Sequence, residues 1–212
     1  MVVLVTGAAH RIGREISITL AKQGYDVALH YKNSCKAVTQ LAKEITNMGR
    51  GNAGVFRADL DNVQSLRQLV TDVSSMGAVV HIVNNASSYH HDTLSTVTSK
   101  SFDDTIAVNL KAPLFLSKEF IEYRKALDAS SPPVGPTVYP SITNILDQKV
   151  ASTNADHLSY TISKHGLHCL TEMLAKECAP SIRGRPLLFV AFTLWIFNYF
   201  VNHIQLLPYY CV

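Results

Sequence analysis

Two hydrophobic periods take turns along this chain, and their alternation constrains the fold more than any single motif. Apolar runs of strand type occupy 2–7 (VVLVTG), 25–31 (YDVALHY), 53–58, 78–85 (AVVHIVNN) and, despite Pro140, 137–147 (TVYPSITNILD). Stretches of helical period lie between and after them, at 11–23 with Ile12, Ile16 and Leu20 on one face, then at 35–48, 63–73, 101–127 and 158–179. Residues 128–136 (DASSPPVGP) read as a loop by their Pro, Ser and Gly content. Alternating strands and helices predict an α/β fold, a parallel sheet covered by helices on both faces, with ligands bound beyond the carboxyl ends of the strands. A chain of 212 residues has room for one such domain with a full core.

The charge balance narrows the partners. A net charge of +3 comes from 19 basic and 16 acidic residues, scattered without a basic run, so nucleic acid is not an expected partner. Cys35, Cys169, Cys178 and Cys211 form no CxxC pair and no metal-ligand spacing. Cys169 and Cys178 fall on opposite faces of one predicted helix, which points to a reducing compartment. His90 and His91 are adjacent and cannot share a metal as an i, i+4 pair would; they are expected in an exposed loop, and no metal site is expected. Met1 leads straight into an apolar strand that ends at a glycine turn, with no secretory leader pattern, so the expected location is cytoplasmic.

Three segments carry chemistry. TGAAHRIG (6–13) sits at a strand-to-helix junction, where exposed backbone N–H groups and the helix dipole favour an anion. Gly7 allows the tight turn, Gly13 lets the helix approach the sheet, and Arg11 offers a guanidinium to a phosphate. At the end of the second strand stands HYKNS (30–34), which holds no acidic residue to accept from a ribose 2′-OH; Lys32, Asn33 and Ser34 instead suit a 2′-phosphate, favouring NADPH over NADH. SYTISK (159–164) places Tyr160 and Lys164 at i and i+4, on one helical face, where a hydroxyl and an ammonium reach one site together.

Together with Asp59 and Leu60 after the third strand, NNAS (84–87) after the fourth, and Asn109 within VNL, these segments resemble the short-chain dehydrogenase/reductase family. The arginine form of the glycine turn, HYKNS and NNASSY (84–89) are similar to its pteridine reductase branch. A further likeness is Asp147, thirteen residues before Tyr160, where most of the family has serine. The resemblance covers residues 1–183 and implies a Rossmann-type doubly wound sheet in one domain. It implies NADPH bound by Gly7, Arg11, Ile12, Gly13, Tyr31, Lys32, Asn33, Ser34, Asp59, Leu60, Asn85, Ala86, Ser87, Tyr160 and Lys164. Catalysis would rest on Asp147, Tyr160, Lys164 and Asn109, and a pterin or folate would meet Arg11, Ser87, Tyr89, Asp147 and Tyr160.

The resemblance also implies roles. Tyr160 gives a proton while NADPH gives a hydride, with Lys164 and the oxidised nicotinamide drawing the tyrosine toward neutrality. Lys164 binds the ribose, Asn109 holds a water, Asp147 orients or protonates the pterin as a general acid does, and Tyr89 stacks on the pterin ring. From Gly184 onward the sequence is rich in aromatic and aliphatic residues and lacks a clean period, so 184–212 is expected as a tail outside the usual plan, replacing the family's last strands. A buried strand and turn, or a membrane-associated segment, are the other readings; 187–201 is too short to span a bilayer. The competing functions are a short-chain carbonyl or acyl-thioester reductase, and a truncated, non-catalytic variant that binds cofactor or a full-length partner. A homo-oligomer, dimer or tetramer, is expected through helices 101–127 and 158–179.

Overall fold

The computed structural model describes residues 1–130, 140–179 and 182–187. Six parallel strands, β1 (Val2–Val5), β2 (Asp26–Tyr31), β3 (Ala53–Arg57), β4 (Val79–Asn84), β5 (Ser141–Ile145) and β6 (Arg183–Leu187), form one sheet in the order β3-β2-β1-β4-β5-β6. Helices α1 (Arg11–Lys22), α2 (Cys35–Asn47), α3 (Val63–Ser74), α4 (Ser99–Ile106), α5 (Ala112–Ser130) and α6 (Leu158–Cys178) connect them. Side chains alternate across a strand, so β1 sends Val3 and Val5 into one core and Val2 and Leu4 into the other. The first core packs under α1 and α2 with Val27, Leu29, Val38, Leu41 and Ile45. The second packs under α3 and α5 with Ala28, Leu66, Val70, Ile82, Leu116 and Phe120. Burial on both faces is why β1 reads as an unbroken apolar run rather than an alternating one.

The strand order reverses between β1 and β4, and the crevice beyond their carboxyl ends is where such a sheet binds ligands. Two departures from expectation matter there. The stretch expected as one helix over 101–127 is α4 and α5 joined by a π turn, Ala107–Lys111, in which the Ala112 N–H reaches back five residues to the Ala107 carbonyl. Pro113 supplies the reason: it has no N–H to give the Asn109 carbonyl its α-helical bond.

The second departure corrects the expected absence of a sixth strand. Arg183–Leu187 pairs in parallel with Ser141–Ile145, Gly184 beside Ile142 and Pro186 beside Asn144. The pairing is made by the backbone, so RGRPL needs no apolar pattern of its own, and β6 is the outermost strand among the described residues, where a proline is tolerated. The residues of β6 supply none of the apolar alternation from which a strand is read in sequence. The boundary expected at 183/184 therefore falls inside β6. The tail beyond 187, Cys211, and the loop and strand positions 131–139 lie outside the described residues. Among the described residues, no helix is long and apolar enough to cross a membrane, and no group of acidic, His or Cys residues is placed to hold a metal. Cys35, Cys169 and Cys178 are free thiols.

Candidate active site

The ends of β1 and β4 are tied together by side chains. Thr6 Oγ1 accepts from the Asn85 N–H at 2.9 Å and the Ala86 N–H at 3.0 Å, and Asn85 Nδ2 donates to the carbonyls of Thr6 at 2.9 Å and Gly7 at 3.1 Å. Asn85 thus braces the glycine turn. Gly7 has φ of 63°, and a Cβ on it would meet Ala86 Cα at 2.9 Å; a Cβ on Gly13 would meet the Gly7 carbonyl oxygen at 2.3 Å. Both glycines are dictated by close approach, Gly7 by its left-handed backbone as well. The first turn of α1 has no side-chain cap from His10, which leaves its N–H groups free for an anion. Arg11, at φ 48° and exposed, stands beside them with no partner among the described residues, and Ile12 packs half-buried on the first core. These features fit a dinucleotide pyrophosphate.

His30, unremarked as a site residue in the sequence, holds this turn from the side. Its Nδ1 accepts from the Gly7 N–H at 3.1 Å, so Nε2 carries the proton and donates to the Ala58 carbonyl at 3.2 Å. The ring is 2% exposed, and burial lowers its pKa from 6.5 to about 4. It is a neutral strut between β1 and the end of β3.

Just past the end of β2, Lys32 is bound to Asp59 at 2.8 Å and Asp61 at 3.2 Å. These carboxylates are its partners before any phosphate is. Ser34 begins α2 without a side-chain cap bond, Asn33 accepts from the Cys35 N–H through its carbonyl, and the Tyr31 hydroxyl points to Cys35 Sγ at 3.6 Å. Leu60 buries its side chain in the second core, so only its backbone is available to a ligand.

On the other side of the crevice, α6 carries Tyr160 and Lys164 onto one face, both buried. The Tyr160 hydroxyl donates to Asp147 Oδ2 at 2.8 Å, while Asp147 Oδ1 accepts from the Lys149 N–H at 2.9 Å and caps the 3₁₀ turn Gln148–Val150. The aspartate both caps and faces the tyrosine. Lys164 Nζ donates to the Ile145 carbonyl at 2.8 Å and lies 5.5 Å from the centre of the Tyr160 ring. Burial lowers the lysine to about 8, with Asp147 pulling the other way. Burial first, and Asp147 second, push Tyr160 above its usual range. This differs from the expected tyrosine drawn toward neutrality, because burial and then the Asp147 carboxylate raise it, while Lys164 is engaged by the Ile145 carbonyl.

Asn109 sits in the π turn with its side chain fully used. Oδ1 accepts from the Ser88 N–H at 2.7 Å and the Ser87 hydroxyl at 3.3 Å; Nδ2 donates to the Ser88 carbonyl at 2.9 Å and Ser163 Oγ at 3.0 Å. It fastens the loop after β4 to α6. That loop ends at Asp92, a buried residue the sequence did not single out. Its carboxylate accepts from the Ser159 N–H at 3.2 and 3.3 Å and from the Ser159 hydroxyl, and its carbonyl accepts from the Leu158 N–H at 3.2 Å. Asp92 is therefore the cap of α6, sixty-seven positions before Ser159, since the local N-cap residue, His157, makes no cap bond. Tyr89 is 55% exposed and meets Tyr160 edge-on at 4.6 Å. His90 and His91 are exposed, as expected.

Among solved structures, FolM alternative dihydrofolate reductase 1 from Brucella suis, in complex with NADP, superposes with a TM-score of 0.76 at 37% identity, over 87% of this chain and 73% of that one. Pteridine reductase 1 from Leishmania tarentolae is 31% identical over 84% of this chain and 71% of its own length. The 3-oxoacyl-[acyl-carrier-protein] reductase FabG of Staphylococcus aureus is 29% identical over 83% and 68%. The profile of the short chain dehydrogenases matches residues 1–184, and with the strand order and the Tyr160–Lys164 helix in place the chain belongs to that family.

Proposed function

We propose that this oxidoreductase is an NADPH-dependent reductase of pterins or folates in which Tyr160 is the proton donor. The observation that carries the reading is the 2.8 Å bond from the Tyr160 hydroxyl to Asp147. An ionised carboxylate only accepts hydrogen bonds. It suits a substrate ring that presents N–H donors, such as an aminopterin edge, and it repels the oxygen of a simple ketone or thioester. The relatives named for pterin and dihydrofolate reduction, and the bound NADP of the FolM structure, support the same reading.

NADPH supplies the hydride when bound. The glycine turn, the open N-terminus of α1 and Arg11 would hold its pyrophosphate; Lys32, Asn33 and Ser34 would hold its 2′-phosphate, with Lys32 shared with Asp59; and Lys164 would bind the ribose hydroxyls. Tyr160 keeps its proton at neutral pH, which is the state a donor needs for reduction. Giving that proton away leaves two anions side by side, Tyr160 and Asp147, so the proton is quickly taken back from solvent. The water assigned to Asn109 by resemblance would rest on its main-chain carbonyl, which Pro113 deprives of its α-helical donor. Substrate lies against Tyr89, Ser87 and Arg11. Leu114, Ile162 and Met173 are exposed on α5 and α6 and would serve a homo-oligomer.

FabG's similarity makes an acyl-thioester reductase the competing reading. Initial rates with NADPH and dihydrobiopterin, dihydrofolate or an acetoacetyl thioester separate the two. The expected kcat/KM favours the pterin or folate by about 10²-fold or more, as a site built for specific hydrogen bonds does. A preference for the thioester overturns the proposal.

A further inference from the structure

At the mouth of the site, His157 is held in a conformation that its own backbone disfavours. It has φ 51° and ψ 49°, the left-handed region that residues with a Cβ seldom enter, and it is not a glycine. Such strain persists only where surroundings over-determine it. Here they do. The next residue's N–H is bound by the Asp92 carbonyl at 3.2 Å, and the imidazole reaches the His90 carbonyl from Nδ1 at 2.8 Å. A carbonyl only accepts, so Nδ1 bears a proton, and Nε2 lies 3.0 Å from the Tyr89 hydroxyl and 3.8 Å from Asp156.

The ring so placed lies flat on Tyr89, with centroids 4.1 Å apart and planes 18° from parallel. His91 closes its flank edge-on at 5.1 Å. Tyr89 is thus covered by His157 and meets Tyr160 at nearly a right angle, 89°. Yet more than half of Tyr89 stays exposed. Tyr89 is therefore braced by His157 beside Tyr160 while more than half of it stays accessible.

We infer that His157 is a specificity-determining residue: it fixes Tyr89 as the first layer of an aromatic stack to which a planar heterocyclic substrate adds the next. The inference rests on the proposed reduction of pterins or folates. His157 is a positioning residue, acting through Tyr89, and its contribution is confined to substrates with a flat ring. Loss of one well-placed aromatic contact corresponds to roughly three- to tenfold in affinity.

Titration of dihydrobiopterin onto the NADP-loaded protein tests this, with an acetoacetyl thioester as the ringless comparison. His157→Asn is the informative variant, because asparagine tolerates the left-handed backbone and can still donate to the His90 carbonyl, but carries no ring to stack. The expected result is a three- to tenfold rise in the Kd of the pterin, none in that of the thioester, and unchanged NADP binding. His157→Phe restores a ring but neither the bond to the His90 carbonyl nor that to the Tyr89 hydroxyl, so it is expected to recover only part of the pterin affinity. An unchanged pterin Kd in His157→Asn, or an equal loss for both ligands, overturns the inference. Should the wild-type protein bind the thioester and no pterin, the pteridine reading itself falls and this inference with it, a result visible before any variant is made.

Discussion

The two banks of the crevice are built in different ways. On the β1–β3 side, which faces the expected cofactor, the working parts are mainly backbone, a turn at Gly7, the open end of α1 and the loop after β2, with Arg11 and Lys32 beside them. They are held by local geometry and by the side chains of His30 and Asn85. On the α6 side, the working parts are side chains, and three separate segments hold them: the loop 85–92, the turn 147–150 and the start of α6. A backbone cradle tolerates many side chains around it, whereas a side-chain site is lost when one of its fasteners is. Changes on the two banks should therefore separate cofactor binding from chemistry.

The largest effect expected is that of Tyr160→Phe. Removing the hydroxyl deletes the proton donor and leaves the ring packing and the glycine turn untouched, so kcat is expected to fall by about 10²- to 10⁴-fold. The NADPH Kd should stay within about twofold of wild type. Steady-state rates together with a fluorescence titration of NADPH give both numbers. A variant that keeps wild-type turnover removes Tyr160 from the mechanism, and one that loses NADPH binding as strongly as turnover breaks the division between the banks.

His30 probes the opposite bank by pH. The unfolded chain takes up this proton near 6.5 and the folded protein only near 4, so between those values the unfolded state binds more protons. Stability contributed by the neutral ring is full above pH 6.5 and declines as pH falls toward 4, by on the order of 3 kcal/mol in total. Denaturation midpoints measured from pH 7 to pH 4 should show a steeper loss in wild type than in His30→Gln, which cannot be protonated. NADPH affinity should decline over the same acidic limb, where the charged ring can no longer accept from the Gly7 N–H. Parallel stability curves for the two proteins would mean that His30 is not held neutral by the fold.

The contrast between the banks also explains what was legible in the sequence. Gly7, Gly13 and the run of βα units are local patterns, set by period and by backbone need, and they predict both the sheet and the turn. Tyr160 and Lys164 are legible because one helix carries both, and Asp147 because a resemblance places it thirteen residues away. Asp92 and His157 were not, since nothing in a loop marks a carboxylate that will cap a helix far along the chain, or a histidine that will be forced into a left-handed turn. The π turn could have been found: Asn109 and Pro113 stand four apart, and a proline at that spacing breaks an α-helical bond. The sixth strand hid for a different reason. RGRPL has no apolar alternation, and its pairing with β5 is a property of the sheet edge rather than of those residues.

Asp92 gives the smallest effect and the sharpest test of how the α6 bank is held. Two kinds of stabilisation meet at its carboxylate: the hydrogen bonds it accepts from Ser159, which replace a missing local cap, and its negative charge at the positive end of the α6 dipole. Asp92→Ala removes both and is expected to cost about 0.5–2 kcal/mol of stability, with a several-fold fall in kcat as the start of α6 loosens under Tyr160. Asp92→Asn keeps an acceptor oxygen and removes the charge, so it should lose about 0.3–1 kcal/mol and retain most of the turnover. NADPH affinity should hold in both, because no bond from Asp92 reaches the glycine turn. If the two variants are equally damaged, charge rather than capping fixes the helix; if NADPH binding weakens in step with kcat, the loop 85–92 serves both banks at once, and the separation between them fails at Asn85, where that loop crosses from one to the other.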